Sequence, residues 1–84
     1  MQFAYFYFMR DVPDRVRATA PLHGAYWRNL RLLNFKGGPF LDKSGGLIIF
    51  EAESEAEVER LVTGDPFVRE GLLESRWIKE WTPD

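Results

Sequence analysis

The tightest constraint on this chain lies in its first ten residues. Gln2 to Met9, QFAYFYFM, carries almost nothing polar. As a strand it would send Phe3, Tyr5, Tyr7 and Met9 to one side and Ala4, Phe6 and Phe8 to the other. Neither side is suited to water, so both faces of its sheet need cover. Leu47-Ile48-Ile49-Phe50 repeats the requirement further on. A chain of 84 residues has only about two helices to offer, enough for one face of a sheet. The other face must be buried by something else, most simply the sheet of an identical subunit. The expectation is a homodimer, with a larger assembly left open.

Residues 1–84 are read as a single domain, since a chain this short has no room for two cores. It buries only about 60–65% of its unfolded surface, and domains of this size usually lean on disulfides, a metal or a partner. There is no cysteine, which removes disulfides and fits a reducing compartment. One histidine and no thiolate do not make a closed zinc shell, and neither a metal nor an organic cofactor is expected. Aromatic residues reach 15%, consistent with dense packing or a subunit interface. The formal charge of −2 argues against a nucleic-acid surface. Arg10, Arg15, Arg17, Arg28, Arg31 and Lys36 do gather in the first half, which reads as a solvated helix face rather than a basic patch. No apolar run approaches the ~18 residues that span a bilayer, and no signal-peptide pattern opens the chain. A soluble cytoplasmic protein is expected, with no nucleic-acid or membrane partner.

Asp11-Val12-Pro13-Asp14 is a turn signal. A helix follows, beginning after Pro13 and in any case after Pro21. Leu22, Tyr26, Leu30 and Leu33 are spaced to form its apolar stripe, with His23 at the margin near the helix start. Asn34 to Phe40 reads as a modest strand, Asp42 to Gly46 as a hairpin loop, and Leu47 to Phe50 as the next strand. Ser54 with Glu57 is a capping box for a helix whose apolar face is Val58, Leu61 and Val62 and whose stop is Gly64. Asp65-Pro66 is a second helix start, with that helix ending near Gly71. A last strand covers Glu74 to Trp81. The order β-α-β-β-α-β is that of the ferredoxin-like α+β fold.

Two residues carry the candidate chemistry. An imidazole titrates close to neutral pH, so His23 suits general acid or base work, unless it is a half-solvated residue on a helix margin. Asp65 is explained by capping alone, yet a cap can give one oxygen to backbone and the other to an imidazole. Gly38-Pro39 reads either as a pocket floor or as a bulge at a sheet edge. Tyr5, Tyr7, Tyr26 and Trp27 read as pocket walls, or as core or dimer interface. Ser54 is assigned to capping. No phosphate loop, thiol nucleophile or metal cluster appears.

Several pieces in order resemble the YCII-related (YciI-like) domain family. They are Pro21-Leu22-His23 with Tyr26 and Leu30, Gly38-Pro39-Phe40, Gly45-Gly46-Leu47-Ile48-Ile49, Glu51-Ala52-Glu53-Ser54, Asp65-Pro66-Phe67-Val68 with Gly71-Leu72, and a last strand ending in tryptophan. The resemblance implies a dimeric α+β barrel and an active His/Asp pair, matching His23 and Asp65. It implies proton transfer of lyase or isomerase type, without a cofactor, on a small polar or aromatic metabolite. One branch of the family is associated with eliminating chloride from chlorinated hydroxylated aromatics. Muconolactone isomerases and small monooxygenases use a similar barrel with different residues, so the fold alone does not give the chemistry. Many members carry an arginine three residues before the histidine, where this chain has Ala20; Arg17, one turn earlier, is the candidate substitute. With Gly38, Pro39 and Tyr26 it completes the expected substrate-binding set. The alternative implied is a non-catalytic metabolite-binding or accessory dimer module.

Overall fold

The first strand forms as its composition requires. The computed structural model describes residues 1–84, and β1 (Gln2–Met9) lies inside a four-stranded antiparallel sheet of order β2-β3-β1-β4. Its neighbours are β3 (Gly45–Glu51), with Tyr5 opposite Ile48, and β4 (Leu73–Glu80), with Tyr5 opposite Ile78. The edge strand β2 (Lys36–Pro39) pairs with β3. Between the strands run α1 (Pro13–Asn29), α2 (Glu55–Thr63) and the short α3 (Pro66–Arg69). This is the ferredoxin-like βαββαβ order with one extra helical turn.

Strand alternation divides the sheet into two apolar faces. Phe3, Tyr5, Tyr7, Ile48 and Phe50 pack with Trp27, Val58, Val62, Phe67 and Leu72 in the helix-covered core. On the other face the rings cover one another: Phe6 stacks on Trp77 at 5.6 Å and Phe8 on Phe40 at 5.6 Å. Ala4, Phe6, Phe8, Leu47 and Ile49 are only partly buried there, and Trp77 stays 45% exposed.

α1 is the element that departs most from expectation. It is one helix from Pro13, with Pro21 inside it, so His23 sits well within the helix rather than at its start. Pro13 suits the first turn, where no amide hydrogen bond is lost. The stripe proposed from leucine spacing is not the buried one: Leu22 is 64% exposed and Leu33 72%. The face turned inward carries Val16, His23 and Trp27, flanked by Tyr26 and Leu30. Trp27, 1% exposed, has the most surface to bury and sets the rotation of the helix. Leu33 lies past the helix end, in a loop where Arg31 and Asn34 both take φ 53°.

The remaining elements follow the sequence closely. Ser54 Oγ accepts the Glu57 amide at 3.2 Å, and the Glu57 carboxylate accepts the Glu53 amide at 3.2 Å, one residue earlier than a standard capping box places it. β2 is shorter than the run Asn34 to Phe40, and β4 starts and ends one residue before Glu74 to Trp81. No helix is long and apolar enough to cross a membrane.

Candidate functional site

Asp65 is the only charged residue in the core, and it is 0% exposed. Its position follows from local chemistry: it ends the turn after α2 and caps α3, with Pro66 at the first helical position. Oδ1 accepts the Phe67 amide at 2.9 Å and lies 2.8 Å from His23 Nδ1, while Oδ2 accepts the Trp27 indole N–H at 3.0 Å. A buried carboxylate is costly unless its oxygens find donors, and here three groups surround it. Capping accounts for only one of them.

His23 reaches Asp65 from α1, one turn before Trp27, so both side chains descend from the same helix face. Its ring stacks on Phe67 at 4.2 Å with planes 20° apart. Nδ1 faces Asp65, and Nε2 lies 3.1 Å from Tyr7 Oη. With a carboxylate as acceptor, Nδ1 carries the hydrogen, and in the neutral ring Nε2 then accepts from the Tyr7 phenol. The imidazole side chain is 13% exposed.

Tyr7 enters from β1 and is 4% exposed. Burial first, and the Asp65 charge second, push its phenol well above the ordinary tyrosine range. Gly46 on β3 makes room for it: a Cβ at that position would stand 2.4 Å from Tyr7 Oη. Tyr5, at 5.3 Å from the Tyr7 ring and 5.8 Å from Trp27, is 0% exposed, and its hydroxyl has no hydrogen-bond partner.

Beside this chain of polar groups opens a cleft of about 1320 Å³, bordered by Tyr7, His23, Trp27 and Phe67. Gly38 and Pro39 border it from β2; Gly38 pairs with Leu47, so a Cβ on it would point to the other face of the sheet, where it meets no protein atom. Arg17 also borders it, with its guanidinium paired to Asp14. Tyr26 does not. It lies one residue, about 100° of helix rotation, from Trp27, and its hydroxyl donates to the Leu61 carbonyl at 2.6 Å. Ala20 faces the cleft without charge, while Arg28 folds back over Gly24, where a Cβ would come within 2.9 Å of Nη1. Arg10, Arg17, Arg28 and Lys43 border the space against only Asp11 and Glu74 among acids. No group of three or more His, Cys, Asp or Glu residues is arranged to hold a metal ion.

Sequence reasoning placed Tyr7 and Trp27 as walls or core and missed them as hydrogen-bond partners. A signal was present. Tyr and Trp on buried faces each bring one polar atom that needs a partner, and few buried groups can supply it.

Fold and site together define a class: small ferredoxin-like α+β proteins with an imidazole–carboxylate pair beside a cleft. The chain belongs to the YCII-related domain family, whose model matches residues 1–82. Among solved structures it is similar to 5-chloro-2-hydroxyhydroquinone dehydrochlorinase (TftG) from Burkholderia phenoliruptrix AC1100, in complex with 2,5-dihydroxybenzoquinone. That match has 32% identity and a TM-score of 0.84, and covers 98% of this chain and 94% of the other. An antibiotic biosynthesis monooxygenase (13% identity, TM-score 0.63, 98% of each chain) shares the fold. So does Rv0793 from Mycobacterium tuberculosis (14% identity, TM-score 0.58, 99% of this chain and 95% of that one). No curated protein matches the chain.

Proposed function

We propose that this protein is a small-molecule lyase in which His23, held by Asp65, moves protons on a hydroxylated aromatic substrate. One observation carries the reading: a fully buried carboxylate fixes one imidazole nitrogen at 2.8 Å while the ring borders an open cleft. A buried acid used only as a cap needs no imidazole. The likeness to a dehydrochlorinase at 32% identity over nearly the whole of both chains supports the substrate class.

Loss of HX from such a ring is a sequence of proton transfers. Tautomerisation moves one hydroxyl proton onto the carbon that bears X. A second hydroxyl proton is then removed, its electron pair closes a carbonyl, and X⁻ leaves with the C–X pair. The ring ends as a quinone with no outside oxidant. One group that accepts a proton and returns it serves both steps, and an imidazole beside a carboxylate is suited to that. The excess of arginine and lysine around the cleft favours the oxyanions that form on the way. Gly38 and Pro39 border the same space from β2.

The protein acts as a homodimer in this reading. The half-buried face of Ala4, Phe6, Phe8, Leu47, Ile49 and Trp77 is the surface a second copy would cover. Halide release from 5-chloro-2-hydroxyhydroquinone tests the function. His23→Ala is expected to slow it by about 10³-fold or more while the protein stays folded. Unchanged release in that variant would falsify the acid–base assignment. Binding of 2,5-dihydroxybenzoquinone without any turnover of the chlorinated ring would favour a metabolite-binding module instead.

A further inference from the structure

We infer that Tyr7 is a catalytic proton relay: its phenol oxygen takes the proton from a substrate hydroxyl while its own proton passes to His23 Nε2. The inference rests on the acid–base reading above and assigns the group that touches substrate.

The imidazole has no free nitrogen. Nδ1 is committed to Asp65 at 2.8 Å, and Nε2 lies against Tyr7 Oη at 3.1 Å. A proton leaving a ligand in the cleft therefore reaches His23 in one of two ways. Either Tyr7 moves aside, or the proton travels through it. The imidazole is held against turning by the Phe67 ring at 4.2 Å and by its bond to Asp65. The phenol is held as well. Tyr5 stands 5.3 Å from its ring, Phe67 6.0 Å, and the β3 backbone closes on Oη where Gly46 lacks a side chain. At 4% exposure it has no second place to go, yet it borders the cleft. Passage through Tyr7 is the route this packing leaves.

The step balances. The substrate O–H bond breaks and an O–H bond forms at Tyr7 Oη. The Tyr7 O–H bond breaks and an N–H bond forms at His23 Nε2. The electron pair stays on the substrate oxygen, and the imidazolium charge sits beside Asp65. A raised phenol is a poor reservoir of phenolate, so the two transfers are coupled rather than sequential. The same path run backwards returns the proton.

The test is single-turnover halide release from 5-chloro-2-hydroxyhydroquinone in mixtures of light and heavy water. The relay predicts a curved dependence on deuterium fraction in the wild-type protein, the mark of two protons in motion. It predicts that Tyr7→Phe slows the step about 10²-fold or more, with little change in KM, and makes the dependence linear. A linear dependence in the wild-type protein, or a Tyr7→Phe variant as fast as wild type, overturns the relay while leaving the His23 assignment intact. His23→Ala as fast as wild type, or a wild-type protein that releases no halide, overturns both. The wild-type curve needs no variant, so the test stands even where Tyr7→Phe fails to fold.

Discussion

The two faces of the sheet are built from one strand with one composition, yet they differ in how their polar atoms are used. On the helix-covered face, Tyr7 brings a hydroxyl into the core, and His23, Trp27 and Asp65 answer it in a continuous hydrogen-bonded chain. On the other face, Phe6 stacks on Trp77 and Phe8 on Phe40, Phe8 meets Trp77 edge-on, and the Trp77 indole N–H is the one polar group among these rings. In the function proposed above, the difference separates two tasks. Polar groups buried under helices are held in fixed positions, as a proton-transfer site requires. A partly covered sheet of rings is a surface that lowers its free energy by meeting another like it.

The largest effect is expected on the covered face. Asp65→Ala strands the Trp27 and Phe67 N–H groups and removes a helix cap. Stability should fall by about 3 kcal/mol, measured by urea unfolding. A loss below about 1 kcal/mol would mean that the carboxylate organises nothing. Phe6→Glu tests the open face. A charge among the rings should weaken self-association by about 100-fold, near 2.7 kcal/mol, with the monomer still folded. Sedimentation that shows the same mass before and after the change would remove the interface.

Gly46→Ala probes the fit between β3 and the phenol. The added Cβ would stand 2.4 Å from Tyr7 Oη and 2.9 Å from the Gly38 carbonyl oxygen. A cost of about 2 kcal/mol is expected. Tyr7→Phe should relieve part of it, leaving the ring Cζ at 2.7 Å and the backbone contact. Equal cost in both backgrounds would show that the hydroxyl is not what fills that space.

The smallest effect is alkaline. Burial, with the Asp65 charge next, raises Tyr5, as it does Tyr7, above the ordinary value of 10.0. The folded state keeps these protons where the unfolded chain gives them up. The stabilising contribution is therefore complete below pH 10 and is lost as pH rises above it. The decline is about 1.4 kcal/mol per pH unit for each tyrosine. Tyr5→Phe should flatten the decline by that amount in thermal unfolding followed against pH. An unchanged slope would show that the Tyr5 phenol is not held neutral by the core.

Much of this was legible in the residues themselves. The nearly all-apolar run from Gln2 to Met9 dictates a strand with two apolar faces, and Ser54 and Asp65 mark their helix starts because a cap is a local matter of one side chain and one or two amides. His23 and Asp65 read as a pair from the sequence through a resemblance rather than through spacing. What did not read through was rotation. The leucines of α1 looked like its core face, yet the helix turns to bury Trp27, and with it His23, because the sheet below decides which side is covered. Tyr26 was assigned to the site for the same reason and lies instead against Leu61. Tyr7 and Trp27 as partners of the pair depend on contacts between residues 16 and 38 positions apart, which no local pattern encodes.

Because the chain has a single histidine, nitrogen NMR of its imidazole reads the His23–Asp65 pair with no assignment problem. One tautomer is expected, with the hydrogen on Nδ1 protected from exchange by Asp65 and Nε2 unprotonated, and with that protection lost in Asp65→Asn. An imidazole that averages both tautomers as a free side chain does, or one with its hydrogen on Nε2, would contradict that pairing.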